Sequence, residues 1–532
     1  MKMRRIYLLP ALILTALICI LLPGCGGRGS GGDQTGGDGV ETGKQSEEIS
    51  VVLYGAAGDG VTDDSGAINA AIDSAVREGH DVYFPEGRYL VKKSVTFPEG
   101  TAAVFADGAV IVTVGTRKLV SFGGGVEAGN YRIFEGDGIG KALKNSHDSG
   151  NPVWFGATGD GVTDDTEAFL AAWEIFSRLS VPYSENGYVL SGISSAKGMI
   201  LSGADPERRT VIKAAAVGKL FTVKAPGYFT VENIAFDLSE MPDGSTAFFL
   251  DTVGYMEYIF IRNCSFTDGY HCFTDAKSSG LVMHMYVEET DFIRNRNSTF
   301  DIEDFEGFIF MKKILIDNSG SYKHHGLDRG ITAIDIDDVR GTIFEEMTLI
   351  GGNSGFPDER GFNIPGQVQL MASLWWDRVE IRDMSGCAVY LNNTTLCSLV
   401  HVTVKNCGEG IRIGSSWDVQ LSDVNVSDVK KGNGIYLSSC RNSEIYGCTV
   451  ENAAKSGVKL ASCTGVSVTG ITVRDCGEYG YCDMNGSKTV LISSECTGNR
   501  KAQVSVTGSV SSVYDTDCGN GKRVTAEGKG EW

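Results

Sequence analysis

Basic residues are in short supply in this chain. Its 47 Lys and Arg face 67 Asp and Glu, for a formal charge of −20. A phosphate backbone attracts basic surfaces, so this balance excludes nucleic acid as a partner. It suits a soluble, exported protein. Proline is scarce as well, 11 residues in 532 against 69 glycines, which fits many tight turns between short strands. Beyond residue 22 no run is apolar enough to span a bilayer.

What is present begins with a targeting segment. Lys2, Arg4 and Arg5 precede an apolar run from Ile6 to Leu22, broken only by Pro10 and Thr15. The run ends in LLPGC, and Gly24 before Cys25 resembles a bacterial lipoprotein cleavage box. Cleavage there leaves Cys25 as a lipid-bearing N-terminus; an uncleaved anchor is the alternative. Either way the rest of the chain is expected outside the cytoplasm, held to a bacterial membrane. Residues 26–48 are Gly-rich and polar and read as a flexible tether.

From about residue 229 the chain repeats every 22 to 27 residues or so. VTVKNCGEGIRIGSSWD, VNVSDVKKGNGIYLSSCRN and CTVENAAKSGVKLASCTG stack by eye. Each holds a V-x-V run, a polar turn with Asn, Asp or Gly, and a second run such as G-I-x-I. Alternation of period two means strands with one buried face. So short a unit must stack on its neighbours to bury that face. With no Leu-rich helical half and no WD-like pair, the expected architecture is all-β: a right-handed parallel β-helix with short N-terminal capping helices. Ten of the 14 cysteines fall after residue 386. Cys407, Cys476, Cys496 and Cys518 are expected at one stacked position and Cys440 and Cys463 at another. They read as ladders of small buried hydrophobes rather than disulfides. Between 281 and 375 the coils lengthen and carry SYKHHGLDRG (321–330) and GNSGFPDERGFNIPG (352–366), long loops of the kind that carry function.

The stretch GDGVTDD occurs twice, at Gly58–Asp64 and Gly159–Asp165. Ile68, Ile72 and Val76 follow the first copy, and Phe169, Trp173 and Phe176 the second, each as the stripe of an amphipathic helix. Thr62 or Asp63 is expected to cap the first helix, with Asp64 in its first turn against the dipole. Thr163, Asp164 and Asp165 repeat the pattern. YGAAGDGVTDDSGAINAAIDSA with VYFPEGRYLV resembles the start of the pectate-lyase-like superfamily of right-handed β-helix proteins, which includes rhamnogalacturonases, epimerases and phage tailspikes. NPVWFGATGDGVTDDTEAFLAAW with GMILSGADPERRTVIKAA resembles that start again, with VPYSENGYVL in place of the FPEG segment. The resemblance covers about residues 50 to 500. It implies helices capping the open end of the solenoid and, by analogy with tailspikes, a trimer. Its members include lyases, hydrolases, epimerases and non-catalytic adhesins, so it specifies fold and not reaction. The expected division is a signal (1–25), a tether (26–48), a short N-terminal module (49–150) and the main β-helix (151–525).

Two long coils align without gaps, DIEDFEGFIF (301–310) and DIDDVRGTIF (335–344). Ile302 and Ile336 should point inward, leaving Asp301, Glu303, Asp335 and Asp337 outward on one face. Same-face neighbours lie about 7 Å apart along a strand and about 4.8 Å apart between coils. Carboxylates so crowded raise at least one pKa or bind a cation. They suit glycoside hydrolysis with one acid and one base, or they hold Ca²⁺ for a lyase. No cofactor is otherwise required. Outward positions further along are expected at Gln369, Tyr390 with Asn392, Arg412, Tyr436 and Lys459, a pattern that resembles a sugar-binding groove. His271, His324, His325, Asp328 and Arg329 are candidate substrate contacts, as are Asp358, Glu359 and Arg360 in the second loop. Polygalacturonase motifs do not transfer: Tyr270 and His271 stand where that family has paired Asp, and Gly414 replaces its Lys. The functional expectation is a polysaccharide hydrolase or lyase. The alternatives are a sugar epimerase and a carbohydrate-binding or adhesin-like protein without catalysis.

Overall fold

The computed structural model describes residues 47–519 and 524–526, apart from 116, 140–148, 196–197, 225–227, 252–254, 277–281, 304–306, 338, 366–371 and 508–509. The signal, Cys25 and the tether up to residue 46 lie outside the described residues, as does Gln369. Residues 47–532 form one compact unit. Glu48 is already in a strand, Glu48–Ser50, paired in parallel with Asp81–Tyr83.

The described chain is a parallel β-solenoid of about 17 turns. Strands between residues 48 and 135 stack in three short parallel sheets; those from Asp160 onward form one sheet of 24 strands and another of 14. A single apolar core runs from Ile49 to Cys518. Its first half is filled by stacked phenylalanines. Phe221, Phe248, Phe273 and Phe300 occupy successive rungs of one inward column, with ring centroids 5.1, 5.2 and 4.9 Å apart. Offset stacks of this kind add to the burial of each ring. Further along, the same column continues as Ile334, Phe362, Val389, Ile411, Ile435 and Val458.

The turns explain the Asn, Asp and Gly periodicity. Asn406, Asp428, Asn452, Asp475 and Gly498 succeed one another at one corner, each with φ between 55° and 67°. Asn and Asp tolerate this left-handed region better than other L-residues, and Gly adopts it freely.

All 12 described cysteines are buried and free. Cys440 stands over Cys463, next to the bridge Arg441–Thr464. The expected four-membered ladder is in fact two. Cys496 pairs with Val473 and stands next to Cys518, whereas Cys407 and Cys476 sit one corner further along the coil. The left-handed corner residue separates the two columns, and counting along the sequence merged them. The gapless alignment of the two long coils also slips: Asp301 pairs with Asp335, but Phe308 pairs with Gly341, one residue short.

The two GDGVTDD copies fold alike. Each contributes a short strand, Asp59–Asp63 and Asp160–Asp164, leading into helices α1 (Ser65–Glu78) and α2 (Thr166–Ile175). The buried face of α1 is Ile68, Ala71, Ile72 and Ala75; Val76 is exposed, because Ala75 takes the inward position. Asp64 and Asp165 occupy the N-cap positions, not Thr62 or Asp63, yet neither caps with its side chain. Their carboxylates reach back to the preceding loop. Asp64 accepts from the backbone N–H of Ala57 and Gly58, and Asp165 from Thr158 and Gly159, at 2.6–3.2 Å. Asp59 and Asp160 each accept from two backbone N–H groups and a Thr hydroxyl of their own turn.

Asp165→Ala strands the two N–H groups of Thr158 and Gly159 and is expected to cost about 1–3 kcal/mol of stability. Val162→Ala in the same motif, at a side chain 85% exposed, should stay within about 0.5 kcal/mol. Urea unfolding of both variants checks the contrast.

Candidate functional site

The 14-stranded sheet presents one outward row along the solenoid. Its register runs Thr274, Asp301, Asp335, Asn363, Tyr390, Arg412, Tyr436, Lys459. Asp301 and Asp335 are therefore direct neighbours on adjacent rungs, with Ile302 and Ile336 buried beside them. Asn363 holds the place expected of Gln369. It donates to Asp335 Oδ1 at 2.6 Å and accepts from Arg360 at 2.8 Å. Glu303 and Asp337 follow the two buried isoleucines, and the backbone N–H of Glu303 donates to Asp275 at 3.0 Å.

Burial pushes the Asp335 carboxyl above the usual carboxylate range. The Asn363 hydrogen bond and Arg360 oppose this, and the charges of Asp301 and Glu303 reinforce it. His271 packs against the same patch from the coil before, 9% exposed. Its Nε2 lies 3.6 Å from Asp301 Oδ2, and its Nδ1 lies 2.9 Å from the carbonyl oxygen of Ser298. A carbonyl only accepts, so Nδ1 carries the proton, and Nε2 accepts from the Asn297 amide at 3.1 Å. Burial drives the His271 pKa down to about 4, so the ring is neutral at neutral pH. Tyr270 abuts the His271 ring edge to face at 4.8 Å, and Arg329 donates to its hydroxyl at 2.6 Å.

Beyond Asn363 the row alternates cations with aromatic rings. Arg360 and Arg412 lie 5.4 and 5.7 Å from the Tyr390 ring centre; Arg412 and Lys459 lie 5.7 and 5.4 Å from that of Tyr436. Cation–π contacts at such distances hold both partners in place. Arg360, Tyr390, Glu409, Arg412 and Lys431 line a cavity of about 430 Å³ here, together with Ser385 and Cys387.

The structure thus brings His271 and Arg329 to the acids, and groups Tyr390, Arg412 and Tyr436 further along the row. His324 and His325 do not join them. They end helix α3 (Ser321–His325) and face Asp268 instead. Asp328 is exposed in the same loop. Glu359 is no rim contact: it is buried and accepts from the N–H groups of Gly352 and Ser385, both at 2.7 Å. Asp358 ties the two long loops together by accepting from Gly330 N–H at 3.2 Å.

Among the described residues, the group of His, Cys, Asp or Glu that converges closely enough to hold a metal is Asp268, His324 and His325. Reading the sequence missed Asn363, because the coil lengths change through this region. It also gave no role to Tyr270, whose position beside His271 was visible.

Residues 375–518 match the family model of a right handed beta helix region. Residues 48–109 match that of rhamnogalacturonase A/epimerase, pectate lyase-like. The parallel solenoid and both matched regions are those of right-handed β-helix proteins. A plasmin and fibronectin-binding protein A of Streptococcus pneumoniae is 47% identical over 66 residues, 12% of this chain and 9% of that protein. The tail spike protein of Shigella phage Sf6 is 26% identical over 157 residues, 29% of this chain and 25% of that protein. A LysM effector of Penicillium expansum is 36% identical over 72 residues, 14% of this chain and 6% of that protein. The chain therefore spans a quarter or less of the length of these relatives. Among solved structures, the mannuronan C-5 epimerase AlgE6 A-module of Azotobacter vinelandii matches 88% of this chain and 98% of its own, at 12% identity and a TM-score of 0.30. A periplasmic alginate epimerase, AlgG, matches 60% of this chain and 79% of its own, at 10% identity and a TM-score of 0.37.

His271 supplies a test of the site's electrostatics. Its folded pKa lies near 4, below the unfolded value of 6.5. The unfolded chain therefore binds a proton first as pH falls. Stability that is full above pH 6.5 should decline between 6.5 and about 4, by roughly 3 kcal/mol from this group. Urea unfolding across that window should show a smaller decline in His271→Gln than in the native chain.

Proposed function

We propose that the protein cleaves a polysaccharide by acid–base catalysis at Asp301 and Asp335. The observation that carries this reading is the pair itself: two carboxyl groups on adjacent rungs, one of them pushed up by burial and by its neighbour. Environments that push two carboxyl pKa values apart assign one as acid and the other as base or nucleophile. Asp335, its carboxyl pKa raised by burial, gives its proton to the glycosidic oxygen. Asp301 attacks the anomeric carbon as the glycosidic bond breaks, and water, giving its proton to Asp335, then hydrolyses the glycosyl ester. Adjacent rungs are about 4.8 Å apart, closer to the carboxyl separation of retaining glycosidases than to that of inverting ones. Asn363, itself held by Arg360, fixes Asp335; neutral His271 packs beside Asp301, and Glu303 adds negative charge nearby. Tyr390, Arg412, Tyr436 and Lys459 receive the flanking sugars, with Asp337, Asp328 and His324 outside this contact set. The match to a rhamnogalacturonase A/epimerase, pectate lyase-like model supports a carbohydrate substrate. The leader supports an extracytoplasmic location, with Cys25 carrying lipid.

A second reading has its own observation. Arg329 donates to the Tyr270 hydroxyl beside neutral His271, an arrangement able to move a proton at a sugar carbon. It would give elimination or epimerisation. Elimination leaves an unsaturated, ultraviolet-absorbing end, epimerisation an uncleaved chain, and hydrolysis neither.

On the cognate glycan, found by screening a polysaccharide panel, Asp301→Asn with Asp335→Asn should lower kcat by about 10²–10⁴-fold while binding persists. Full activity in that double variant would end the hydrolase reading. Arg412→Ala should instead raise KM roughly tenfold, the loss of a charged contact of about 1.5 kcal/mol, with kcat little changed.

A further inference from the structure

Two imidazoles from consecutive residues converge on one carboxylate, at some distance in sequence and with no part in the chemistry above. Successive side chains on a helix point about 100° apart. His324 and His325, at the end of α3, nevertheless turn their Nε2 atoms to the same oxygen, Asp268 Oδ1, at 3.8 and 3.2 Å. Their rings stand at 88° to one another, with centroids 4.5 Å apart. The three candidate ligand atoms all lie within 4.8 Å of one another. Asp268 is 5% exposed, at a left-handed corner with φ of 61°.

Arg294 holds Asp268 from the other side, donating Nε to Oδ1 at 2.8 Å and a terminal N–H to Oδ2 at 2.6 Å. A carboxylate offers about four lone-pair sites, so Arg294 fills two and leaves Oδ1 able to accept again. That remaining site is the one the histidines face. His325 Nε2 also lies 3.1 Å from the carbonyl oxygen of Arg294.

We propose that Asp268, His324 and His325 bind a divalent transition metal of the Zn²⁺ type, with a fourth position left to water. Two imidazoles and one carboxylate are a donor set for such an ion, whereas Ca²⁺ takes six to eight oxygens. Arg294 offsets the carboxylate charge, which weakens a purely electrostatic Ca²⁺ site further. In a tetrahedral Zn²⁺ site with bonds of about 2.1 Å, ligand atoms stand about 3.4 Å apart. His325 and Asp268 are already near that spacing, so His324, the exposed member, has only to swing inward. The proton on His325 Nε2 moves to Nδ1, and Nε2 then faces the ion in place of the carbonyl. The metal would pin α3 to the coil beneath it. The loop that follows α3 carries Arg329 onto Tyr270, so pinning α3 also fixes one wall of the candidate active site.

The test uses the full chain, stripped with a chelator and titrated with Zn²⁺ against a chromophoric competitor. One Zn²⁺ per chain should bind, and an equal concentration of Ca²⁺ should not displace it. His324→Ala should weaken Zn²⁺ binding by more than ~10-fold. That ring is 56% exposed, so its loss leaves folding intact. His401→Ala, at an exposed ring paired with Asp377 elsewhere, should leave binding unchanged. Equal Zn²⁺ affinity in His324→Ala and the native chain, or no saturable binding, would overturn the proposal. Neither outcome depends on activity toward a glycan.

Discussion

Every feature of this molecule answers to one constraint: each coil must hydrogen-bond in parallel to the coils above and below it, rung on rung. Parallel strands need a crossover of a dozen or more residues between them, and here the rest of each coil is that crossover. Side chains therefore sort into columns, and a column tolerates only what stacks. Stacked phenylalanines fill the wide first half of the core; Val, Ile and Leu fill the second. Over four successive coils one column admits no side chain. At Gly410, Gly434, Gly457 and Gly480 a Cβ would come within 2.0–2.6 Å of the next coil or its side chains. Such columns also explain why buried cysteine is free to recur: it is a small hydrophobe in a slot of fixed size.

The corners show the constraint overriding local preference. From Asn233 onward, the residue joining two strands of a coil at this corner is left-handed. Early and late coils put Asn, Asp, Ser or Gly there, with His401 the exception. The middle coils put Glu289, Lys313, Glu346 and Arg378, with φ of 49°, 54°, 54° and 53°. Each such residue costs roughly 1–2 kcal/mol in that region. Their charges alternate along the column, with Lys313–Glu289 at 2.9 Å and Arg378–Glu346 at 3.1 Å. Exposed ion pairs of this kind contribute at most about 1 kcal/mol each. They offset part of the strain, and the ladder hydrogen bonds on both sides hold the remainder.

The fold was legible because stacking writes itself into sequence as repetition. V-x-V alternation, polar corners and the doubled GDGVTDD each report a column or a cap. The outward row was legible at Asp301 and Asp335, whose coils align, and where coil length was steady: Tyr390, Arg412, Tyr436 and Lys459 fall on it as spacing implied. Through the long coils the spacing changes at every step, so counting overshot Asn363; the two cysteine columns merged because a single left-handed corner residue separates them. The convergence of His324 and His325 on Asp268 was invisible for a different reason. It joins a loop to a corner more than fifty residues earlier, and no periodicity links them.

Aspartate is used in opposite ways along this chain, and its surroundings decide which. Asp160, fully exposed, accepts from Thr163 and Val162 and is held down to about 2, an anion that fixes a turn. Asp165 is pushed up by burial despite its donors, yet every one of those donors belongs to its own loop. It is a buried staple with no open side. Asp335 is pushed up in the same direction and by the same leading cause, but its neighbours differ: another carboxylate, an amide from the next coil and a guanidinium. A raised carboxyl pKa alone does not separate a structural acid from a chemical one. What separates them is whether the groups around the acid complete its hydrogen bonding locally, or come from several coils and leave a second charge facing the same space. By that criterion the acids of the repeated heptapeptide build the caps, and the pair at Asp301 and Asp335 is the one we propose for chemistry.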